Sequence, residues 1–381
     1  MADSDPPADG PPADAFAGLF RVVETDVEGG QLRYYGEPLV AGQRLERRLW
    51  PLFRERGYEI RLTSEPERDP YTGVEMNNHR HVLVATPHST GIDGVPWTNV
   101  IFALLTVLST LVAGARWYGT VDTIGDFLAD PTAVLAGWPF ALAVLSVLGV
   151  HELGHYALSR YHGVDASLPY FIPLPNVIGT MGAVISMRGR MPSRKTLFDI
   201  GVAGPLAGLA VACVVTVVGL GLPPVSTPAI PIEFNYPLLV QWLADLTGQP
   251  LDYPDGTTVN PVVFAGWVGM FVTFLNLIPV GQLDGGHLVR AMVGERQETV
   301  GALVPAALFA LAAYLYYIQH AAFNAVFLWV FWGIFTMGVA YAGPATPIYD
   351  DALDTKRVLL GLLTFALGIL CFTPIPFELV L

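Results

Sequence analysis

The chain predicts a polytopic α-helical membrane protein with about seven transmembrane spans and a small α+β domain at its N-terminal end. Three observations carry that expectation. Of the 381 residues, 52% are hydrophobic, and the mean hydropathy is +0.48. Apolar runs long enough to approach the thickness of a bilayer recur from residue 99 onward. The stretch before them has short strand-like and helix-like patterns instead.

Residues 1–18 begin acidic and proline-rich, without the basic start and apolar core of a signal peptide. They read as a disordered tail on a domain that is not exported. Residues 19–95 read as a soluble α+β domain. Leu45, Leu49, Leu52 and Phe53 share one face of a helix that stops at Gly57, and residues 31–35, 58–63 and 81–85 read as strands. His79, His81 and His88 near its end lack nearby cysteines or an i, i+4 helical pair, so they read as polar surface.

From residue 98 to 381 the chain reads as membrane-embedded, with spans at 99–115, 138–160, 202–220, 261–279, 300–317, 322–340 and 358–372. Arg160, Arg188, Arg190, Arg194, Lys195, Arg290, Arg296, Lys356 and Arg357 all fall on one side of that alternating map. Connections 118–137 and 221–260 carry no Lys or Arg. By the positive-inside rule the N-terminal domain is cytoplasmic and the second span enters from outside.

The formal charge is −13, and lysine occurs only at positions 195 and 356. This acid-rich, lysine-poor balance suits a protein of a high-salt cytoplasm, pointing to a halophilic archaeon and a multi-pass cell-membrane location, and it argues against nucleic acid as a partner. Cys213 and Cys371 sit in apolar runs and read as small hydrophobes.

The chemistry-bearing stretch is His151-Glu152-Leu153-Gly154-His155, preceded directly by an apolar run from Trp138. On a helix the two histidines stand one turn apart on one face, where their imidazoles can take two corners of a zinc tetrahedron. Glu152 between them is then placed to act as a base. Such groups in hydrocarbon cost several kcal/mol unless paired, so they mark a functional site. A third ligand is required. The segment from Asn276 through Pro279, Gly281 and Asp284 to His287 offers it, because Pro279 breaks the helix and Gly281, Gly285 and Gly286 loosen the chain beyond that break. Asp284 and His287 are both candidates.

Here the sequence resembles the site-2 protease family, the intramembrane zinc metalloproteases. Its H-E-x-x-H stands as His151, Glu152 and His155, and its N-x-x-P-x-x-x-x-D-G as Asn276, Pro279, Asp284 and Gly285. The resemblance favours Asp284 over His287 as third zinc ligand. It implies that Glu152 is the general base and that the Asn276 amide holds substrate backbone or the oxyanion, beside that residue's plain role of capping a broken helix. It also implies that residues 179–187, with Gly182, Ala183, Val184 and Ile185, form part of a membrane-associated hairpin. Without the family, residues 183–187 read as a short strand whose edge can pair with an extended peptide. Gly204, Pro205 and Gly208 read as close-packing residues of the third span, and Asp199 as its N-cap. The soluble domain followed by this core looks most like the archaeal and plastid type of the family.

The implied activity is zinc-dependent hydrolysis of peptide bonds in or near transmembrane segments of membrane proteins, with Zn2+ as cofactor and membrane-protein substrates and the bilayer as partners. Two other classes use the same residues. A metal or solute transporter needs polar residues continuing to the outer face, where the second span offers little beyond Ser146. A catalytically silent member that binds membrane segments is expected to have lost the glutamate or a ligand.

Overall fold

The computed structural model describes residues 10–68, 75–88, 95–187, 190–226, 232–254, 256–343 and 345–379. The chain divides into two compact units. One comprises Met1–Gly91 with Arg188–Pro192 and Pro347–Tyr349, and the other comprises the remaining residues.

In the first unit, strands β1 (Phe20–Glu28), β2 (Gln31–Pro38), β3 (Tyr58–Arg68) and β4 (Glu75–Pro87) form an antiparallel sheet in the order β1-β2-β4-β3. The three expected strands fall inside β2, β3 and β4; β1 is an addition to them. Only Phe20 of β1 is fully buried, so this edge strand lacks the alternation that marks a half-buried one. Helix α1 (Gly42–Arg54) buries Leu45, Leu49 and Phe53 against Leu32, Tyr34, Ile60 and Leu83 of the sheet. The expected tail needs correction over residues 10–18. Phe16 is 2% exposed and meets the Tyr34 ring edge-on at 5.3 Å, and the Tyr34 hydroxyl donates to Pro11 O at 3.1 Å. A single aromatic ring among prolines and acidic residues recruits this stretch into the core, a contact that composition does not register. Residues 1–9 of that expectation lie outside the described residues. His79 and His81 are exposed, and His88 Nδ1 lies 3.0 Å from Glu59.

Ile348, 4% exposed, joins the same core, and its N–H donates to Met191 O. Pro51 lies inside α1 and has no N–H for Arg47 O one turn earlier. The Tyr349 hydroxyl donates to that carbonyl at 3.1 Å.

In the second unit, five helical stretches among the described residues are long and apolar enough to cross a membrane. They are α2 (Trp97–Trp117), α4 (Trp138–Tyr161) with the 3-10 turn before it, α5 (Arg194–Leu220), the α8–α9 stretch, and α10 (Phe323–Ala342). Here α8 is Asp284–Val293 and α9 is Gln297–Tyr317; the short α3 (Ile124–Ala129) and α6 (Leu238–Thr247) lie in the connections. The expected fourth and seventh spans correspond to α7 (Pro261–Asn276) and α11 (Thr355–Leu370), each of 16 residues. That is about 24 Å at helical rise, short of the ~30 Å hydrocarbon layer. Most of α7 is buried by protein, in a core with Phe140 and Val144 of α4 and Leu209 and Ala212 of α5.

Several hydroxyls in these apolar helices are satisfied within their own helix. Thr106, Thr216, Thr273, Thr336 and Thr364 each donate to the carbonyl four residues back, at 2.7–2.8 Å. That removes the cost of an unpaired polar group in hydrocarbon. The outward faces of α2, α10 and α11 expose Leu104, Leu108, Phe327, Phe331, Ile334, Leu359 and Leu363. Apolar surface of that extent is what a lipid solvent requires.

Between α4 and α5, β5 (Tyr170–Pro173) and β6 (Thr180–Val184) pair antiparallel, with Phe171 opposite Ala183. Its turn is fastened to α2, where Ser109 Oγ donates to Gly179 O at 2.6 Å and Trp117 Nε1 to Val177 O at 2.7 Å. The strand expected at 183–187 thus lies earlier, and Ile185 falls beyond its end.

Candidate metal centre

His151, Glu152 and His155 lie in the C-terminal half of α4, and all three are buried, at 5, 8 and 6% exposure. Their wall is α5, which can come close because it presents glycine. A Cβ on Gly204 would stand 2.1 Å from His155 Nε2, and one on Gly208 would stand 2.9 Å from His151 Nδ1. Gly154 in turn faces Ala203 O, where a Cβ would come within 2.8 Å. Small residues at these positions let two apolar helices touch along the line where the imidazoles sit.

His155 Nδ1 donates to Ile200 O at 2.8 Å. A carbonyl only accepts, so in the neutral ring Nε2 carries the lone pair. Such a second hydrogen bond fixes tautomer and ring orientation, as metal-ligating histidines require.

The third member arrives from the break after α7. Helix α7 ends at Asn276, the chain turns through Ile278, Val280 and Leu283, and α8 begins at Asp284. The glycines of this break serve close packing rather than loosening. A Cβ on Gly285 would stand 2.1 Å from Leu277 O, one on Gly286 2.3 Å from Gly281 O, and one on Gly281 2.2 Å from Val339 O.

Asp284 Oδ2 is 3.3 Å from His151 Nε2 and 3.3 Å from His155 Nε2, and the two Nε2 atoms are 3.2 Å apart. Three potential ligand atoms therefore form a nearly equilateral triangle. A tetrahedron with such edges has its centre about 2.0 Å from each corner, which is the zinc–nitrogen and zinc–oxygen bond length. Two imidazoles and a carboxylate are also the donor set of catalytic zinc sites that keep a fourth position open. The residues present fit that ion.

Asn276 Nδ2 lies 3.4 Å from His151 Nε2, so the last residue of α7 reaches the same centre. No hydrogen bond from a described residue occupies the Glu152 carboxylate, and it stands outside the ligand triangle. His287 is buried one turn along α8 beside Gly201 and is not part of the triangle. Gly182, Ala183 and Val184 lie on β6, which contacts α4, and Gly182 has φ +113° with open space where a Cβ would be. Among the described residues the second edge of β6 has no strand partner.

One cluster of charged side chains lies outside the sequence-based expectations. Asp199 does not cap α5; Ser193 does, its hydroxyl accepting from Thr196 N. Asp199 lies inside the helix and receives Arg357 in two bonds, Nε to Oδ1 at 2.7 Å and Nη2 to Oδ2 at 2.8 Å, with His162 Nε2 3.1 Å away. Arg357 also holds Asp354, the N-cap of α11. This chain of charges ties the end of α4 and the start of α11 to α5, one residue from the carbonyl that orients His155. The only sequence signal was a lone carboxylate between apolar residues.

The peptidase family M50 model matches residues 139–315, a range containing all of these site residues except Arg357 and Asp354. A probable zinc metalloprotease, EGY2, of Arabidopsis thaliana chloroplasts is 28% identical over 373 residues, covering 95% of this chain and 63% of the relative. The EGY1 protein of the same plant, also named a probable chloroplastic zinc metalloprotease, is 31% identical, covering 91% of this chain and 65% of the relative. This chain thus spans a little under two thirds of the length of these relatives. The solved site-2 protease of Methanocaldococcus jannaschii aligns with a TM-score of 0.31 and 16% identity, over 68% of this chain and 91% of that one. Residues 139–315 thus match peptidase family M50, and relatives named probable zinc metalloproteases align along nearly the whole chain.

Proposed function

We propose that this protein is a zinc-dependent intramembrane endopeptidase that hydrolyses peptide bonds in or near transmembrane segments of membrane proteins. The observation that carries the reading is the triangle of His151 Nε2, His155 Nε2 and Asp284 Oδ2, with edges of zinc-site length, set in apolar helices beside the buried Glu152.

His151, His155 and Asp284 would hold the ion. When bound, zinc supplies Lewis-acid polarisation of water and of the scissile carbonyl. Glu152, on the same turn as both histidines, takes a proton from the attacking water and delivers it to the leaving amine. Asn276 offers its amide N–H to the carbonyl oxygen as negative charge develops there. An intact helix hides its carbonyls, so substrate is cut from an extended segment, which the edge of β6 at Gly182, Ala183 and Val184, without a strand partner among the described residues, can pair with. In this reading α7 and α11 complete seven crossings, the hairpin lies within the membrane, and the loop arginines place the N-terminal domain in the cytoplasm. The acidic surface fits a high-salt cell interior.

Zinc quantification on the purified full chain tests the ligand set. Wild type and Glu152→Gln are expected to carry stoichiometric zinc, and Asp284→Ala to lose most of it. Undiminished zinc in Asp284→Ala would remove the third ligand.

A further inference from the structure

His155 and His162 stand two turns apart on one face of α4, with His162 at its C-cap. Two consecutive residues of α5 receive them. Ile200 O accepts from His155 Nδ1 at 2.8 Å, and Asp199 Oδ2 lies 3.1 Å from His162 Nε2. An ionised carboxylate only accepts, so that ring nitrogen donates. Elsewhere along this seam Gly154, Gly204 and Gly208 let the two helices close on each other. Contact of that kind brings backbones together but contains no directional bond, so it resists rotation weakly.

The carboxylate that receives His162 is itself held. Arg357 grips both of its oxygens, Nε on Oδ1 at 2.7 Å and Nη2 on Oδ2 at 2.8 Å, and a bidentate pair fixes the plane of the acceptor. The His162 and Asp199 side chains are 19 and 18% exposed, so this is not a loose surface pair. Rotation of α4 is what the metal centre can least tolerate. A turn of about 20° carries an atom at the ~5 Å outer radius of a helix through about 2 Å, as far as a zinc–nitrogen bond is long.

We propose that Asp199 is a positioning residue for the metal centre: through His162 it fixes the rotation of α4, so that His155 Nδ1 meets Ile200 O and the Nε2 atoms of His151 and His155 face Asp284. The inference rests on the zinc site proposed above. Asp199 is outside the ligand triangle and acts on it only through α4.

Two readouts report the geometry of the centre without a substrate: zinc affinity of the full chain by chelator competition, and the visible spectrum of the cobalt-substituted full chain. Asp199→Ala and His162→Ala are each expected to weaken zinc binding about 10-fold or more and to change the cobalt spectrum, the scale seen when a group that orients a ligand is removed. Tyr349→Phe, which removes a hydrogen bond of the first unit, should leave both readouts as in wild type. If Asp199→Ala does not fold, His162→Ala carries the test, since it leaves the Asp199–Arg357 pair intact. Wild-type affinity and spectrum in His162→Ala overturn the proposal, as does an equal change in Tyr349→Phe. Zinc retained by Asp284→Ala would instead remove the ligand set itself, so the two failures are distinct.

Discussion

His155 shows how little freedom the centre has. Its Nδ1 is held by Ile200 O, its Nε2 meets His151 and Asp284, and its ring lies on the bare Cα of Gly204. Gly204→Ala would put a methyl 2.1 Å from Nε2, against a ring that cannot retreat without leaving the triangle. The expected result is loss of zinc binding and destabilisation of about 1–3 kcal/mol from overpacking. Gly338→Ala in α10 is the control, because nothing lies within 4 Å of its added Cβ and a helical Gly→Ala change gains up to ~1 kcal/mol. Zinc content and thermal unfolding of both variants check the pair. The two histidines and the glutamate are legible in the sequence because a single helical turn contains them. The choice between Asp284 and His287 is legible only through the family resemblance, since both come after the same break. It depends on where α8 starts, which turns Asp284 toward α4 and leaves His287 against Gly201.

At the level of elements, the Asp199–Arg357 pair fastens α11 to α5 in a bidentate geometry that favours guanidinium. A double-mutant cycle with Asp199→Asn and Arg357→Gln is expected to give a coupling energy of about 1–2 kcal/mol in thermal unfolding. A coupling near zero would reduce the pair to surface chemistry. Asp354 adds a pH signature. Its carboxyl is held below the usual range, chiefly by the Arg357 side chain and then by the Arg357 N–H at the start of α11. A depressed folded value means that its stabilisation is complete above about pH 4 and disappears as pH falls through the folded value. Asp354→Asn should therefore be less stable than wild type at neutral pH, with the difference narrowing in acid. The sequence makes Asp199 look like a cap because helix starts favour aspartate. Its true partner is Arg357, 158 residues away, and periodicity carries no information on such a pairing.

Across the whole molecule, two features come from segments distant in the chain. The first unit is completed by residues near Met191 and Ile348, and Tyr349 satisfies the carbonyl that Pro51 leaves open in α1. Tyr349→Phe removes only that hydroxyl and is expected to cost about 0.5–1 kcal/mol in denaturant unfolding. The hydropathy pattern locates the long apolar helices, yet it counts Arg194 and Arg290 among solvated loop charges. Both are buried, so part of the charge asymmetry used for orientation is internal structure. The measurement that bears most directly on function is mass spectrometry of a model transmembrane substrate, reconstituted in lipid with the zinc-loaded full chain and with Glu152→Gln. The proposed mechanism predicts new termini within the apolar segment for wild type and an intact substrate for the variant. Equal cleavage by Glu152→Gln, or cuts confined to the water-exposed flanks, would contradict it.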